Sequence, residues 1–302
     1  GGIIGMLSLL AGYPQVNIPS LMALVAILHL AESFLIAVNG YHGASPIYFK
    51  HGEKVVGGFS LQKFWPVPFV ALLGLMMLDT GIDLDVVAMP DWWPLFSSGL
   101  EVPEGQTIIY MLFPVIAALG YSDFAVAELP KAKARRSAFF LSIYSLALLG
   151  LALLADRYSA LAFAAVLFAP LGHELVIYLG QRGEKVRPPV FQTDDGVMVL
   201  AVHPDSPADK MGLGPGDVIR AVNGTAVENL PELIDQLSPW IVDPVFEVEN
   251  ELRAQKTRTI MYRGKVPPLG IIPAPHPRQR FYMRMGEPPL KRLWQRLRRK
   301  RK

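Results

Sequence analysis

The 302-residue chain has no cysteine, which excludes disulfides, Cys-ligated zinc or iron–sulfur centres and thiol nucleophiles, and leaves the redox compartment open. Charge is scarce too. Asp, Glu, Lys and Arg make up 18% of residues against 51% apolar ones, and mean hydropathy is positive, which is the composition of a polytopic membrane protein rather than a soluble one. No G-x-S-x-G nucleophile elbow and no G-x-x-x-x-G-K-[ST] phosphate loop occurs. The sequence begins at Gly1 without Met, which reads as a truncated or processed N-terminus.

What is present begins with membrane-length apolar runs. The first, 3–13, is too short to cross a bilayer alone, whereas 18–38, 64–78, 107–121, 138–155 and 159–179 are long enough or nearly so. The segments between them differ in sign. Residues 41–63 carry Lys50, Lys54 and Lys63, residues 81–105 carry five acids and no Lys or Arg, and residues 122–137 carry Lys131, Lys133, Arg135 and Arg136. By the positive-inside rule the first and third of these are cytoplasmic and the second is external, with Trp92, Trp93 and Pro94 suited to an interfacial anchor. Residues from Gln181 onward are then cytoplasmic, and the basic C-terminal end agrees.

A soluble module follows Pro188-Pro189. Residues 196–202 read as a buried strand, and Ser206-Pro207 opens a short helix that Met211-Gly212 closes. Residues 217–222 form the next strand, and Asn223-Gly224 signals a tight turn. Asn229 caps a helix through Leu237 with Leu230, Leu233, Ile234 and Leu237 at i, i+3, i+4, i+7 spacing. Residues 245–252 and 257–262 then read as a strand pair.

The run from Ser206 to Gly224, SPADKMGLGPGDVIRAVNG, resembles the helix-turn-strand signature of bacterial PDZ domains. The resemblance implies a permuted PDZ domain whose carboxylate-binding loop is Pro268-Leu269-Gly270-Ile271. Leu269, Gly270 and Ile271 would then offer N–H groups to a peptide segment added as a strand along Ile271 and Ile272. Leu230, Leu233, Ile234 and Leu237 would form the opposite wall. Pro273 and Pro275 remove donors from that same edge, so an internal segment or a docked loop stays open as the occupant, as does a PDZ fold that only packs against its neighbours.

PDZ modules joined to membrane helices also resemble the site-2 intramembrane metalloproteases. His173-Glu174 supplies half of H-E-x-x-H, but the second His position is Ile177. Asp79-Thr80-Gly81 resembles an aspartic-protease triplet without a second Asp in matching context. Expected catalytic residues, metal ligands and cofactors are therefore none. His29 and Glu32, at i, i+3 in a membrane run, form an intramembrane polar pair, read either as structural or as ion or partner coupling. Asn223-Gly224-Thr225 fits a glycosylation sequon by coincidence. In the tail, Leu290, Leu293, Trp294 and Leu297 fall on one helical face with Arg292 and Arg296 among the basic residues on the others. This stripe suits an anionic lipid surface rather than nucleic acid, the other reading being a solvated tail.

The expected fold is thus multi-domain. A polytopic α-helical membrane domain (1–182, about six hydrophobic segments, the first truncated) precedes a small α+β PDZ domain of the bacterial, permuted type (186–276) and a basic amphipathic juxtamembrane tail (277–302). This order, with the loop segments GASPIY (43–48) and VGGFSLQKFWP (56–66), resembles the MinJ family of Gram-positive cell-division topological determinants. The resemblance implies a non-enzymatic multi-pass scaffold of the cell membrane, with its PDZ domain and C-terminus cytoplasmic. Members link a polar DivIVA-like protein to a MinD-like division inhibitor, and they begin upstream of where this chain does. Two other readings stay open: a degenerate intramembrane protease using His173, Glu174 and His29, and a PDZ-regulated transporter.

Overall fold

A computed structural model describes residues 1–11, 16–79, 87, 89–90, 93, 102–250, 252, 255–266, 268–275 and 282–283. The chain separates into two compact units, neither continuous in sequence. The first takes Gly1–Gly40, Lys63–Tyr121 and Arg135–Ile177, and the second takes Tyr41–Gln62, Ser122–Ala134 and Tyr178–Lys302.

Helices dominate the first unit. The short α1 (Gly2–Ala11) precedes α2 (Ile18–Asn39), whose first turn is capped by the Asn17 side chain accepting the Ser20 N–H at 2.8 Å. The unit also holds most of α3 (Pro130–Arg157) and α4 (Ala160–Val186). Among the described residues three helices, α2, α3 and α4, are long and apolar enough to cross a membrane. Their buried positions include small residues among larger ones: Ala23 and Ala26 on α2, Ala138 and Ala152 on α3, Ala165 and Ala169 on α4. Small residues let helix backbones approach closely where lipid supplies no hydrophobic drive for association. Large side chains such as Phe34, Phe139, Leu146, Leu153 and Leu171 point outward and stay exposed, as a lipid-facing surface requires.

Two of the runs expected as spans are not helices. Residues 64–78 lie in β2 (Lys54–Leu78) and residues 107–121 in β3 (Gln106–Ala125), joined with β1 (Ser45–His51) in a sheet of order β1-β2-β3. Composition explains the correction. Pro66 and Pro68 would break a helix early in the first run and Pro114 in the middle of the second, while Thr107, Ile108, Ile109, Tyr110, Val115 and Ile116 favour a pleated backbone. Pro66 and Pro68 are two residues apart, so they lack donors on the same edge. The β1 partners of β2 end at Ser60, so beyond it β2 has an edge where missing donors are tolerated. At the far end the Asp79 N–H donates to the Gly105 carbonyl at 2.8 Å.

In the second unit, a buried ionic knot ties the start of α3 and the end of α4 to the end of β3. Lys133 is completely buried, with Nζ 3.1 Å from Asp123, 3.7 Å from Glu184 and 3.3 Å from the Gly180 carbonyl. Glu184 accepts the Val126 and Ala127 N–H groups, both at 2.8 Å, and meets Arg187 at 3.1 Å. Every charge here has opposite partners, the condition under which buried charges are tolerated.

The rest of the unit is a compact α/β module. Its elements are β4 (Val197–Val202), α5 (Pro207–Lys210), β5 (Val218–Val222), β6 (Thr225–Ala226), α6 (Leu230–Gln236), β7 (Val245–Asn250), β8 (Gln255–Met261) and β9 (Ile271–Pro273). The strands run in the order β8-β7-β5-β4-β9, with β6 beside β5. Val199, Ile219, Val222, Leu233, Phe246 and Val248 form the centre of its core. The Ser206 and Asn229 side chains accept N–H groups three residues on, capping α5 and α6 where the sequence expected helix starts. Positive φ at Asn223 and Gly224 forms the expected turn.

Candidate functional site

An edge strand beside a short helix defines the site. β9 is the terminal strand of its sheet and pairs with β4, Ile272 opposite Ala201 and Ile271 opposite Val202. The loop feeding it turns at Gly270, whose φ of +77° is costly for a residue with a side chain. A Cβ there would also collide with the Ser206 side chain. The apolar-Gly-apolar loop is therefore seated directly on the start of α5, held by the Gly270 carbonyl accepting from the His203 N–H at 2.8 Å and the Leu269 carbonyl accepting from the Ala208 N–H at 3.0 Å.

The residues singled out from the sequence fall into distinct places. Leu269 and Leu233 lie in the core, so a ligand could reach only the backbone at Leu269, while Leu233 fixes α6 from beneath. Leu230, Leu237 and Ile271 pack against the same cluster from partly exposed positions. Ile234 does not join them and is 61% exposed, an apolar side chain on α6 without a place in the core. Ile272 and Pro273 are half-buried. The tail residues Leu290, Arg292, Leu293, Trp294, Arg296 and Leu297 lie outside the described residues.

Sequence reasoning missed two contributors. Asp217, read only as the start of a strand, is fully buried and accepts from Gly214 N–H, Asn250 Nδ2 and Arg258 Nη2 at 2.8, 2.6 and 2.7 Å. The turn residues Gly214 to Gly216 ahead of it were the available signal. Tyr48, quoted only as part of a loop motif, donates its hydroxyl to the Pro273 carbonyl at 3.1 Å. Burial pushes its phenol above the usual tyrosine range, so it remains a donor. On the opposite edge of the domain, a hydrogen bond from Arg220, with a second from Thr257, holds the Glu249 carboxyl below the usual range.

In the membrane unit, His29 Nδ1 lies 3.9 Å from Glu32, which accepts the Gly120 N–H of β3 at 3.2 Å. The His29 ring is 5.1 Å from that of His173 and 5.5 Å from that of Tyr144, whose hydroxyl donates to the Ala169 carbonyl at 2.7 Å. The helices thus bring together His29 and His173, the two histidines grouped in the degenerate-protease reading. Among the described residues no three His, Asp or Glu side chains converge as a metal site.

Three apolar helices and this module define a membrane protein with a PDZ domain, and the PDZ domain family model matches residues 198–238. Over 207 residues the chain is 28% identical to the cell division topological determinant MinJ of Bacillus subtilis (strain 168), covering 67% of this chain and 49% of that protein. It is 33% identical over 97 residues to the probable cell division topological determinants MinJ of Lacticaseibacillus paracasei and Lacticaseibacillus casei (strain BD-II), covering 30% of this chain and 25% of each of those proteins. The chain is similar to these MinJ proteins, and it spans about half the length of the Bacillus relative and a quarter of the other two.

Proposed function

We propose that this chain is a membrane-anchored adaptor whose PDZ domain recruits protein partners on the cytoplasmic face during division-site placement, bridging a DivIVA-like polar protein and a MinD-like inhibitor. The observation that carries the reading is the edge strand β9, whose Ile271 packs on the same core as Leu230 and Leu237 of α6, in a chain that also holds three apolar helices. Strand addition at such an edge is how PDZ domains take peptides. The similarity to MinJ supports the division role.

Charge supports the sidedness. A hairpin of two strands returns the chain to the side it left, so replacing two spans by β2 and β3 leaves the parity of the crossings unchanged. Residues 41–62 and 122–134 and everything beyond α4 stay on one side, the basic one. Those three segments also share one compact unit, as segments on the same membrane face can. The basic tail would rest on anionic lipid, each Lys or Arg adding about 1 kcal/mol near such a surface.

The mechanism is tethering without a covalent step. Helices hold the module at the bilayer, and a partner bound at its groove then meets a second bound partner at an effective concentration on the order of millimolar. His29, Glu32 and His173 serve on this view as polar glue between helices and strand. A cross-linking pull-down from native membranes, comparing the full chain with one lacking residues 190–275, tests the reading. Division proteins should be recovered with the first and lost with the second; equal recovery from both would overturn it.

A further inference from the structure

The free edge of β9 is shorter than the strand, and the cause lies in β1. Backbone groups alternate along a strand. The Gly270 carbonyl and the Ala274 N–H, the latter donating to Met198 at 2.7 Å, are both turned toward β4, so Ile271 and Pro273 turn their backbone groups to the open side. Pro273 has no N–H to give. Its carbonyl, the acceptor an added strand would use next, already accepts from the Tyr48 hydroxyl at 3.1 Å. Ile271 alone is left with both groups.

Tyr48 is held in that place by its backbone. Its carbonyl accepts from the Met283 N–H at 2.6 Å, the neighbouring Lys50 N–H donates to the Met283 carbonyl at 2.9 Å, and Tyr48 pairs with Gly57 of β2. The Gly57 N–H donates to the Phe191 carbonyl at 3.1 Å, and a Cβ at Gly57 would press on Leu200 and Phe191 at 3.0 Å. The glycine therefore lets the β1–β2 hairpin lie close against the module, and the phenol is delivered by a built contact rather than a loose loop.

We propose that Tyr48 closes the groove behind Ile271 and makes it a site for a free chain terminus, read over its last one or two residues, rather than for an internal strand. A terminal carboxylate would take the N–H groups of the Leu269–Ile271 loop, and its last residue would pair with Ile271. The residue two positions upstream would need the Pro273 carbonyl, which Tyr48 occupies. The inference rests on the groove reading above and adds a side chain that sets its reach.

The test uses the full chain in lipid nanodiscs and two peptide pools, three and eight residues long, ending in Val, Leu, Ile or Phe as free acids or amides. Wild-type protein should bind the free acids of both lengths within about twofold of each other and lose about tenfold on amidation, the scale of a lost charge-assisted hydrogen bond. Tyr48→Phe keeps the ring and frees one acceptor, so it should leave the three-residue pool unchanged and tighten the eight-residue pool about fivefold. Binding of the eight-residue pool to Tyr48→Phe alone would mean that Tyr48 shuts the groove in the wild type, and would overturn its use as a site for a free terminus. A length dependence identical in both proteins, with binding abolished by Gly270→Trp, would overturn the role of Tyr48 and leave the groove standing. Binding indifferent to Gly270→Trp, or absent from both proteins, would overturn the groove and the inference with it.

Discussion

Asp217 holds a buried carboxylate that satisfies a turn N–H, the Asn250 amide and the Arg258 guanidinium at once. Removing it takes an acceptor from the Gly214 N–H, the Asn250 amide and the Arg258 guanidinium, which is about a third exposed and keeps the Gly212 carbonyl, so Asp217→Ala should cost about 1–3 kcal/mol, the penalty of lost buried hydrogen bonds. Chemical denaturation followed at the PDZ domain checks this; a change under about 1 kcal/mol would mean the carboxylate is dispensable. The sequence hid this role because Asn250 and Arg258 stand 33 and 41 positions away, and no local pattern joins them. Ser206, Asn229 and the Asn223-Gly224 turn were legible for the opposite reason, since their partners lie within a few residues. Tyr48 and Pro273, 225 positions apart, were as opaque as Asp217.

Elements show the same division. Strands β4, β5, β7 and β8 and helices α5 and α6 fall where local pattern and capping residues placed them, because each carries its own signal, whereas the edge strand β9 was placed only by the PDZ resemblance. The long strands β2 and β3 do not, because an apolar run fits a span or a buried strand equally well until its prolines and β-branched residues are weighed. The termini of α3, α4 and β3 meet at Lys133, which local reading took only as one charge in a basic loop. Lys133→Met should take the buried ammonium from Asp123 and leave Glu184 with Arg187 as its cation, and lower stability by about 3–5 kcal/mol. Adding Glu184→Gln should restore part of the loss, since the amide oxygen can still accept the Val126 and Ala127 N–H groups. Unfolding in detergent measures both; a single variant as stable as wild type would show that the knot does not hold these ends together.

At the scale of the whole molecule, the lysine-bearing segments at 41–62 and 122–134 and the PDZ domain form one unit although apolar segments separate them in sequence. That arrangement is what tethering at one membrane face demands, and it makes sidedness the point on which the adaptor depends. The absence of native cysteine allows a direct measurement with single-cysteine variants and a membrane-impermeant maleimide. In intact cells Asp156→Cys, in the last turn of α3, should be labelled, whereas Ser60→Cys and Ser238→Cys should be labelled only after lysis. Labelling of Ser238→Cys in intact cells would put the PDZ domain outside and contradict the account.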